Sequence, residues 1–267
     1  MINASTFEKL KALNCSAMAE AFQNQLDDSR TYNSLGFEER LGLLVDAEWN
    51  RRQANKLKNL IKRTTFSIWS ASIEGIEYIP DHKLDKAQLL RFSTCQYINE
   101  EHHIILKGAT GSGKTYITCA LGNSACRKFK TVRYIRMPKL LDELALSKSD
   151  VTFRKVINTY CKTQLLIIDK CLIRKLSTQE RYDLLEIIEK RINSPKGSMI
   201  FYTQYNDEEW HERIDPEYDE ESPIAEDIMD HITNNALMTG KSALYDRKLC
   251  TKMPCSVLYT VGIYTWW

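Results

Sequence analysis

The sequence contains no long apolar run and no cysteine pair with metal-ligand spacing. No apolar stretch approaches the roughly 18 to 20 residues that span a bilayer, which excludes a membrane-spanning helix. The eight cysteines are scattered without a C-x-x-C pair, so the sequence predicts no cysteine metal site. No secretory signal stands at the first residues, and we expect a cytoplasmic protein with reduced thiols and no membrane contact.

The sequence also has no large excess of charge of either sign. Its 37 Lys and Arg residues balance 35 Asp and Glu residues to a net charge of +2. Any nucleic-acid contact must therefore come from local clusters of Lys and Arg. No base-reading motif is present, so DNA contacts would be made to phosphates and to DNA shape. The hydrophobic content of 43% allows a substantial core.

One segment does fill every fixed position of the phosphate-binding P-loop pattern. Lys114 of this pattern reaches the β and γ phosphates of a nucleotide, and the Thr115 hydroxyl is a ligand for Mg²⁺. Residues 103–107 are typical of a buried strand and residues 116–128 of a helix, whose positive N-terminus would face the phosphates. ATP and Mg²⁺ are therefore the predicted cofactors, and the cofactor-binding residues are Gly108, Ala109, Thr110, Gly111, Ser112, Gly113, Lys114 and Thr115.

Apolar runs alternate with amphipathic helices around and after the P-loop, which predicts an α/β fold with a parallel sheet flanked by helices. A capping box at Ser177 and Glu180 marks the start of one of these helices. Strands are expected at about 103–107, 131–136, 164–169 and 198–203. Along the chain, strand 131–136 lies between the P-loop strand and the strand that ends in Asp169. We interpret it as the extra strand of the P-loop NTPase class that includes the AAA+ ATPases.

Polar residues follow two of these strands. Asp169 comes after four apolar residues, the position from which a carboxylate holds the Mg²⁺ of a bound nucleotide, directly or through water. Thr203 and Gln204 bring polar groups toward the γ-phosphate, and Gln204 either positions water or is only a strand-end hydrogen bonder. The candidate catalytic residues are Lys114, Asp169 and Gln204, and the candidate metal ligands are Thr115 and Asp169.

Helical patterns alone occupy residues 1–66, which predicts a small all-helical N-terminal domain. Ser5 and Glu8 fit a capping box for its first helix, and a longer helix with an apolar face begins near Phe37. Residues 51–63 contain cations and no acid, which fits a phosphate-tracking stripe and a solvated helix face equally well. The candidate DNA-binding residues are Arg51, Arg52, Lys56, Lys58, Lys62 and Arg63.

These patterns divide the chain into four segments: a DNA- or partner-binding helical domain at 1–66, a connector at 67–99, an ATPase core at 100–248 and an atypical tail at 249–267. The tail is rich in aromatic residues and is either a frameshifted end or an added terminal strand at 257–264. The acidic segment 215–230 predicts a solvated loop that leads to a helix capped at Ser222.

Further motifs give the chain a specific resemblance that covers most of its length. It resembles the IstB-like ATP-binding proteins, which are transposition helpers of insertion sequences related to bacterial helicase loaders. That resemblance implies an ATP-dependent, DNA-binding homo-oligomer that recruits and stimulates a transposase on target DNA. Besides the P-loop, it is carried by Phe37-Glu38-Glu39-Arg40-Leu41, Asp46-Ala47-Glu48-Trp49, Leu84-Asp85-Lys86, Ala120-Leu121-Gly122, Val132-Arg133-Tyr134, Leu166-Ile167-Ile168-Asp169, Arg181-Tyr182-Asp183-Leu184-Leu185-Glu186 and Glu209-Trp210-His211-Glu212.

The chain departs from this family at three catalytic positions. Lys170 replaces the second acid after the third apolar strand, and His231 replaces the arginine finger. The closing segment 240–244 lacks its arginine, and Arg247 lies just beyond it. A positioned general base contributes about 10²- to 10⁴-fold and an arginine finger about 10³- to 10⁵-fold to the rate. We therefore expect retained ATP binding with weak hydrolysis.

The sequence is compatible with several functions. The chain is a transposition helper with duplex DNA and a transposase as partners, a helicase loader with a replicative helicase as partner, or a hydrolysis-poor ATP-binding scaffold. Rings and filaments both use head-to-tail interfaces, so the sequence does not choose between them. A P-loop small-molecule kinase is disfavoured, because the sequence shows no lid or acceptor-binding motif.

Overall fold

The computed structural model describes most of the chain, and contacts between Cα atoms divide it into two compact units, Met1–Asn59 and Leu60–Trp267. The residues described are 2–76, 78, 84–108, 113–150, 152–193, 197–215, 224–233, 236–237 and 262–263.

Helices make up the regular structure of the first unit, as predicted. They are α1 (Ile2–Ala12), α2 (Ser16–Asp27), α3 (Ser29–Tyr32) and α4 (Phe37–Thr64), the last of which continues into the second unit. The capping box predicted at Ser5 is wrong, because α1 already begins at Ile2 and Ser5 lies inside the helix. In α4, acids in the first turn and bases in the last turn complement the helix dipole.

The apolar face predicted for α4 is largely exposed in the structure. Phe37, Leu41 and Val45 are 78%, 44% and 48% exposed, respectively. The spacing of these residues follows the helical period, but the core of the first unit does not cover them.

A parallel sheet forms the centre of the second unit. Its main strands are β1 (His103–Lys107), β2 (Val132–Arg136), β3 (Leu165–Asp169) and β4 (Ser198–Thr203), which confirms the four predicted strands to within one residue. Short strands β5 (Ala236–Leu237), parallel, and β6 (Gly262–Ile263), antiparallel, pair with β1. Nearly every residue of β1, β3 and β4 is buried, as expected for a sheet covered on both faces.

The strand order is β2-β3-β4-β1-β5. The extra strand between the P-loop strand β1 and β3 is therefore β4, and the assignment of residues 131–136 to that place is wrong. β2 lies on the outer side of β3, with Arg136 opposite Asp169 in the register. Helical crossovers connect these parallel strands, so their order along the chain does not give their order in space.

Helices flank this sheet and supply most of the remaining core. One of them, α10, begins with the capping box of Ser177 and Glu180 that the sequence predicted. The helices of the second unit after α4 are α5 (Lys86–Ser93), α6 (Gln96–Asn99), α7 (Lys114–Arg127), α8 (Met137–Ser149), α9 (Phe153–Cys161), α10 (Thr178–Ile192), α11 (Asp207–Ile214) and α12 (Ile224–Thr233).

The segment after α4 packs against α7. The Asn123 side chain donates hydrogen bonds to the carbonyls of Trp69, at 3.1 Å, and Ala71, at 2.7 Å. A Cβ at Gly122 would lie 2.4 Å from the Phe66 ring, so only glycine allows this close approach. The four predicted segment boundaries stay predictions, although contacts place this part of the connector in the second unit.

Other predictions fall mainly outside the described residues. The acidic loop 216–223 with Ser222 is one of them, and in the tail only Gly262–Ile263 is described. Across the described residues, no helix is both long enough and apolar enough to cross a membrane.

Candidate nucleotide-binding site

The P-loop connects β1 to α7, and the structure describes its two ends. Residues 109–112 of the loop lie outside the described part, whereas Gly108 and Gly113 to Thr115 lie within it. Gly113 has a φ of 70°, in the left-handed region that favours glycine, and α7 begins at the next residue. The N-terminus of a helix is thus placed at the edge of the sheet where phosphates would bind.

Lys114 is buried at the start of α7, with only 1% of its surface exposed. Its ammonium group lies 5.0 Å from the centre of the Tyr202 ring on β4. Burial lowers the pKa of Lys114 to about 7, although the nearby charge of Asp169 acts in the opposite direction. Burial therefore makes the positive charge of this lysine costly.

Asp169 ends β3 and is fully buried. Tyr134 on β2 donates a hydrogen bond to Oδ2 of this carboxylate. The other oxygen, Oδ1, is buried and has no hydrogen-bond partner among the described residues. Burial raises the pKa of Asp169, against the opposing effects of the Tyr134 hydrogen bond, the Lys170 backbone and the charge of Arg136.

Oxygen atoms suitable for Mg²⁺ come from two elements at this edge. The Thr115 hydroxyl belongs to the first turn of α7. Burial raises the pKa of Tyr202 to about 12, so its hydroxyl stays neutral. Oδ1 of Asp169, which has no hydrogen-bond partner among the described residues, is the second candidate oxygen. Magnesium is commonly held by one or two protein oxygens plus phosphate and water, and these residues fit that pattern.

Thr203 and Gln204 follow β4 but differ in their surroundings. The buried Thr203 hydroxyl accepts hydrogen bonds from the Trp210 indole, at 3.1 Å, and from the Tyr205 backbone, at 3.2 Å. It also donates to the Cys171 carbonyl at 3.4 Å, so the fold already uses this hydroxyl. Gln204 is exposed and its amide donates to the Tyr205 hydroxyl at 2.6 Å. The water-positioning role of Gln204 stays a prediction.

Lys170 comes directly after Asp169, with a φ of 55° in the left-handed region. This half-buried residue lines a small cavity together with Tyr202 and Gln204. The structure thus places a cation beside the site at the position predicted to have lost an acid. His231 lies in the last turn of α12, half-buried, while residues 240–247 are outside the described part.

Two tyrosines of this site, Tyr134 and Tyr202, were not among the candidates from the sequence. In the register of β2 with β3, Tyr134 lies opposite Ile167. Alternate residues of a strand share a face, so Tyr134 lies on the same face of the sheet as Asp169. Only the strand register brings these residues together, and no local pattern in the sequence specifies that register.

The basic part of α4 divides into two groups. Arg51 and Arg52 both contact the Glu48 carboxylate, at 2.5 Å and 2.7 Å, and Arg51 also donates to the Asn14 carbonyl at 2.8 Å. Their hydrogen bonds hold the pKa of Glu48 at about 2. These two arginines therefore help to attach α4 to the turn between α1 and α2. Glu48 lies just before residues 51–63, the stretch that contains no acid.

The remaining cations of this stretch, Lys56, Lys58, Lys62 and Arg63, are exposed on the C-terminal half of α4. Within the described parts of the chain, no salt-bridge partner contacts Lys58, Lys62 or Arg63. Of the cations of this stretch, these are the ones that α4 leaves accessible to an external anion.

The strand order, the lysine at the start of α7 and the acid at the end of β3 define a P-loop NTPase of the AAA+ class. Solved structures share this fold. DnaI superposes with a TM-score of 0.50 at 19% identity, covering 62% of this chain and 85% of that chain. Domain III of the replication initiation protein DnaA from Thermotoga maritima gives 0.52 at 16% identity, covering 62% and 65%.

Within this class, the family model described as IstB-like ATP binding protein matches residues 8–242, and the chain belongs to that family. An insertion sequence IS1162 ATP-binding protein from Pseudomonas fluorescens is 34% identical over 73% of this chain and 84% of its own length. The insertion sequence ATP-binding protein y4pL from Sinorhizobium fredii (strain NBRC 101917 / NGR234) is 32% identical over 88% and 93%.

Proposed function

We propose that this protein is an ATP-binding, DNA-binding helper of transposition that oligomerises on target DNA and recruits or stimulates a transposase. The observation that carries the proposal is the buried pair of Lys114 and Asp169 at the P-loop edge of the sheet. It occurs in a chain whose relatives are named as insertion sequence ATP-binding proteins.

In this proposal, the nucleotide phosphates bind at the N-terminus of α7, where the buried Lys114 lies beside them. Mg²⁺ held by Thr115 and Asp169 would supply further neutralisation of the phosphate charge. The Tyr202 ring contacts the Lys114 ammonium group at 5.0 Å from the ring centre. Ground-state binding therefore has all the groups it needs.

Hydrolysis is proposed to be weak because the groups that accelerate it are replaced. Lys170 carries no proton-accepting group where an acid would orient the attacking water, and His231 stands in place of the arginine finger. A general base contributes about 10²- to 10⁴-fold and an arginine finger about 10³- to 10⁵-fold, so their joint loss leaves little turnover.

The proposed DNA surface is the exposed cation set on the C-terminal half of α4, with Lys58, Lys62 and Arg63 at its centre. Each phosphate contact contributes a slope of about −0.9 to the dependence of log affinity on log salt. Reversing these three charges to Glu should therefore reduce the slope by up to about 3 for duplex DNA. Fluorescence anisotropy at several salt concentrations, with and without ATP, measures this change.

A matched control reverses Lys9, Lys11 and Lys128, three cations that are exposed elsewhere on the chain. The proposal expects this control to keep the wild-type slope, and it expects ATP to tighten DNA binding by the wild-type protein. An equal loss of slope in both variants, or DNA affinity that ATP leaves unchanged, would speak against the proposed surface. Capture of a replicative helicase in place of the transposase would favour the loader function.

A further inference from the structure

Tyr134 is a buried tyrosine whose hydroxyl contacts the candidate magnesium ligand. It belongs to β2, the outer neighbour of β3, and its side chain is only 5% exposed. A buried tyrosine hydroxyl needs a hydrogen-bond partner, and Tyr134 uses Oδ2 of Asp169 for this purpose.

The ring of Tyr134 is itself held in place from the other side. That contact comes from the segment that follows α4, through the Phe66 ring. The Phe66 ring packs against the Tyr134 ring, with 6.2 Å between their centres. A close approach of Phe66 to Gly122 on α7 fixes that ring in turn. The Tyr134 ring, and with it the hydroxyl, is thus placed by β2 and by the Phe66 ring that lies against α7.

The two oxygens of Asp169 differ in their side-chain contacts. Oδ2 accepts the tyrosine hydrogen bond, while the buried Oδ1 has no hydrogen-bond partner among the described residues. A carboxylate held through one oxygen cannot rotate freely, so the other oxygen keeps one orientation. This resembles the outer hydrogen bonds that orient ligands in metal sites generally.

We propose that Tyr134 is a positioning residue for the magnesium-dependent part of nucleotide binding, because it fixes Asp169 with Oδ1 available to Mg²⁺ or to a water bound to Mg²⁺. The inference rests on the proposed nucleotide site and adds to it a residue that acts only through Asp169. Outer-shell partners of this kind typically change metal affinity by about 10- to 100-fold.

The test is Tyr134→Phe in the full chain, which removes the hydroxyl and keeps the ring that packs against Phe66. Binding of a fluorescent ATP analogue is titrated once in EDTA and once in increasing MgCl₂. We expect affinity in EDTA within about twofold of wild type, and a loss of about tenfold or more in the affinity gained from Mg²⁺.

Tyr160→Phe is a closely matched control. Tyr160 on α9 is also buried, and it also donates its hydroxyl hydrogen bond to a carboxylate, that of Glu143. This control should destabilise the fold in a similar way, seen by thermal unfolding, without changing the gain from Mg²⁺. Asp169→Asn provides the reference for complete loss of the carboxylate.

Tyr134→Phe could bind the nucleotide and gain as much affinity from Mg²⁺ as wild type does, while Asp169→Asn gains less. That result would overturn only the positioning role. A larger gain in Tyr134→Phe would also overturn it, since the tyrosine would then compete with the metal. If Asp169→Asn gained as much nucleotide affinity from Mg²⁺ as wild type does, Tyr134 could not act through Asp169, and the positioning role would have no basis. Failure of the wild-type protein to bind the nucleotide would contradict the proposed function and this role with it.

Discussion

Lys114 and Asp169 are both deeply buried, and burial disfavours the charged form of each. The pKa of Lys114 therefore falls to about 7 and that of Asp169 rises. Two tyrosines, Tyr134 and Tyr202, add contacts without adding charge. At the scale of single residues, the site is thus arranged to gain from an incoming polyanion and its metal ion.

Lys170 permits a direct test of why hydrolysis should be weak. We predict that Lys170→Glu raises ATP turnover at least tenfold, toward the roughly 10²- to 10⁴-fold that a positioned base contributes. The backbone at this residue has a φ of 55°, and Glu has the same Cβ as Lys, so strain should not change. Steady-state phosphate release measures the effect.

The control for this prediction is Lys170→Gln, which removes the cation without supplying a base. A similar rise in Lys170→Gln and Lys170→Glu would attribute inhibition to the positive charge. Unchanged turnover in both variants would show that the missing acid does not limit the reaction.

At the scale of elements, α4 combines a structural part and an accessible part. Glu48, Arg51 and Arg52 connect the middle of the helix to the turn between α1 and α2, where the Glu48 carboxylate also accepts from the Ala17 backbone at 3.1 Å. The cations further along remain exposed. Counting every cation of residues 51–63 therefore overestimates the number available for DNA.

Glu48 makes the stability of this helical unit dependent on pH. Its pKa in the folded protein is about 2, below the ordinary value of 4.5, so its stabilisation is complete above pH 4.5 and is lost as the pH falls toward 2. We predict that Glu48→Gln lowers the urea midpoint of the helical circular dichroism signal most at pH 7. The difference from wild type should shrink between pH 4.5 and pH 2. A difference that is constant across this range would contradict the predicted coupling.

The elements also show what could be predicted from sequence. Strand positions and the Ser177 cap are local patterns, and they were confirmed. The position of β4 between β1 and β3 was missed, because spatial strand order depends on crossovers that no local pattern specifies. The contact of Tyr134 with Asp169 needs the β2–β3 register for the same reason. Ser5 failed as a cap because its capping pattern lies inside a longer helix.

At the scale of the whole molecule, a helical unit and an AAA+ unit are joined along the chain through α4. Family membership and the P-loop geometry account for nucleotide binding. Lys170 and His231, the predicted departures from the family, are proposed to stand where groups that promote hydrolysis would be. The groups proposed to bind ATP are therefore different from those proposed to limit its hydrolysis.

The most direct test measures ATP binding and ATP turnover on one preparation, with and without duplex DNA, alongside Lys114→Ala. The account predicts saturable ATP binding that Lys114→Ala abolishes, and turnover well below about 1 per second, the low end of typical enzyme values, even with DNA. Turnover at or above that rate that disappears in Lys114→Ala would contradict the central claim.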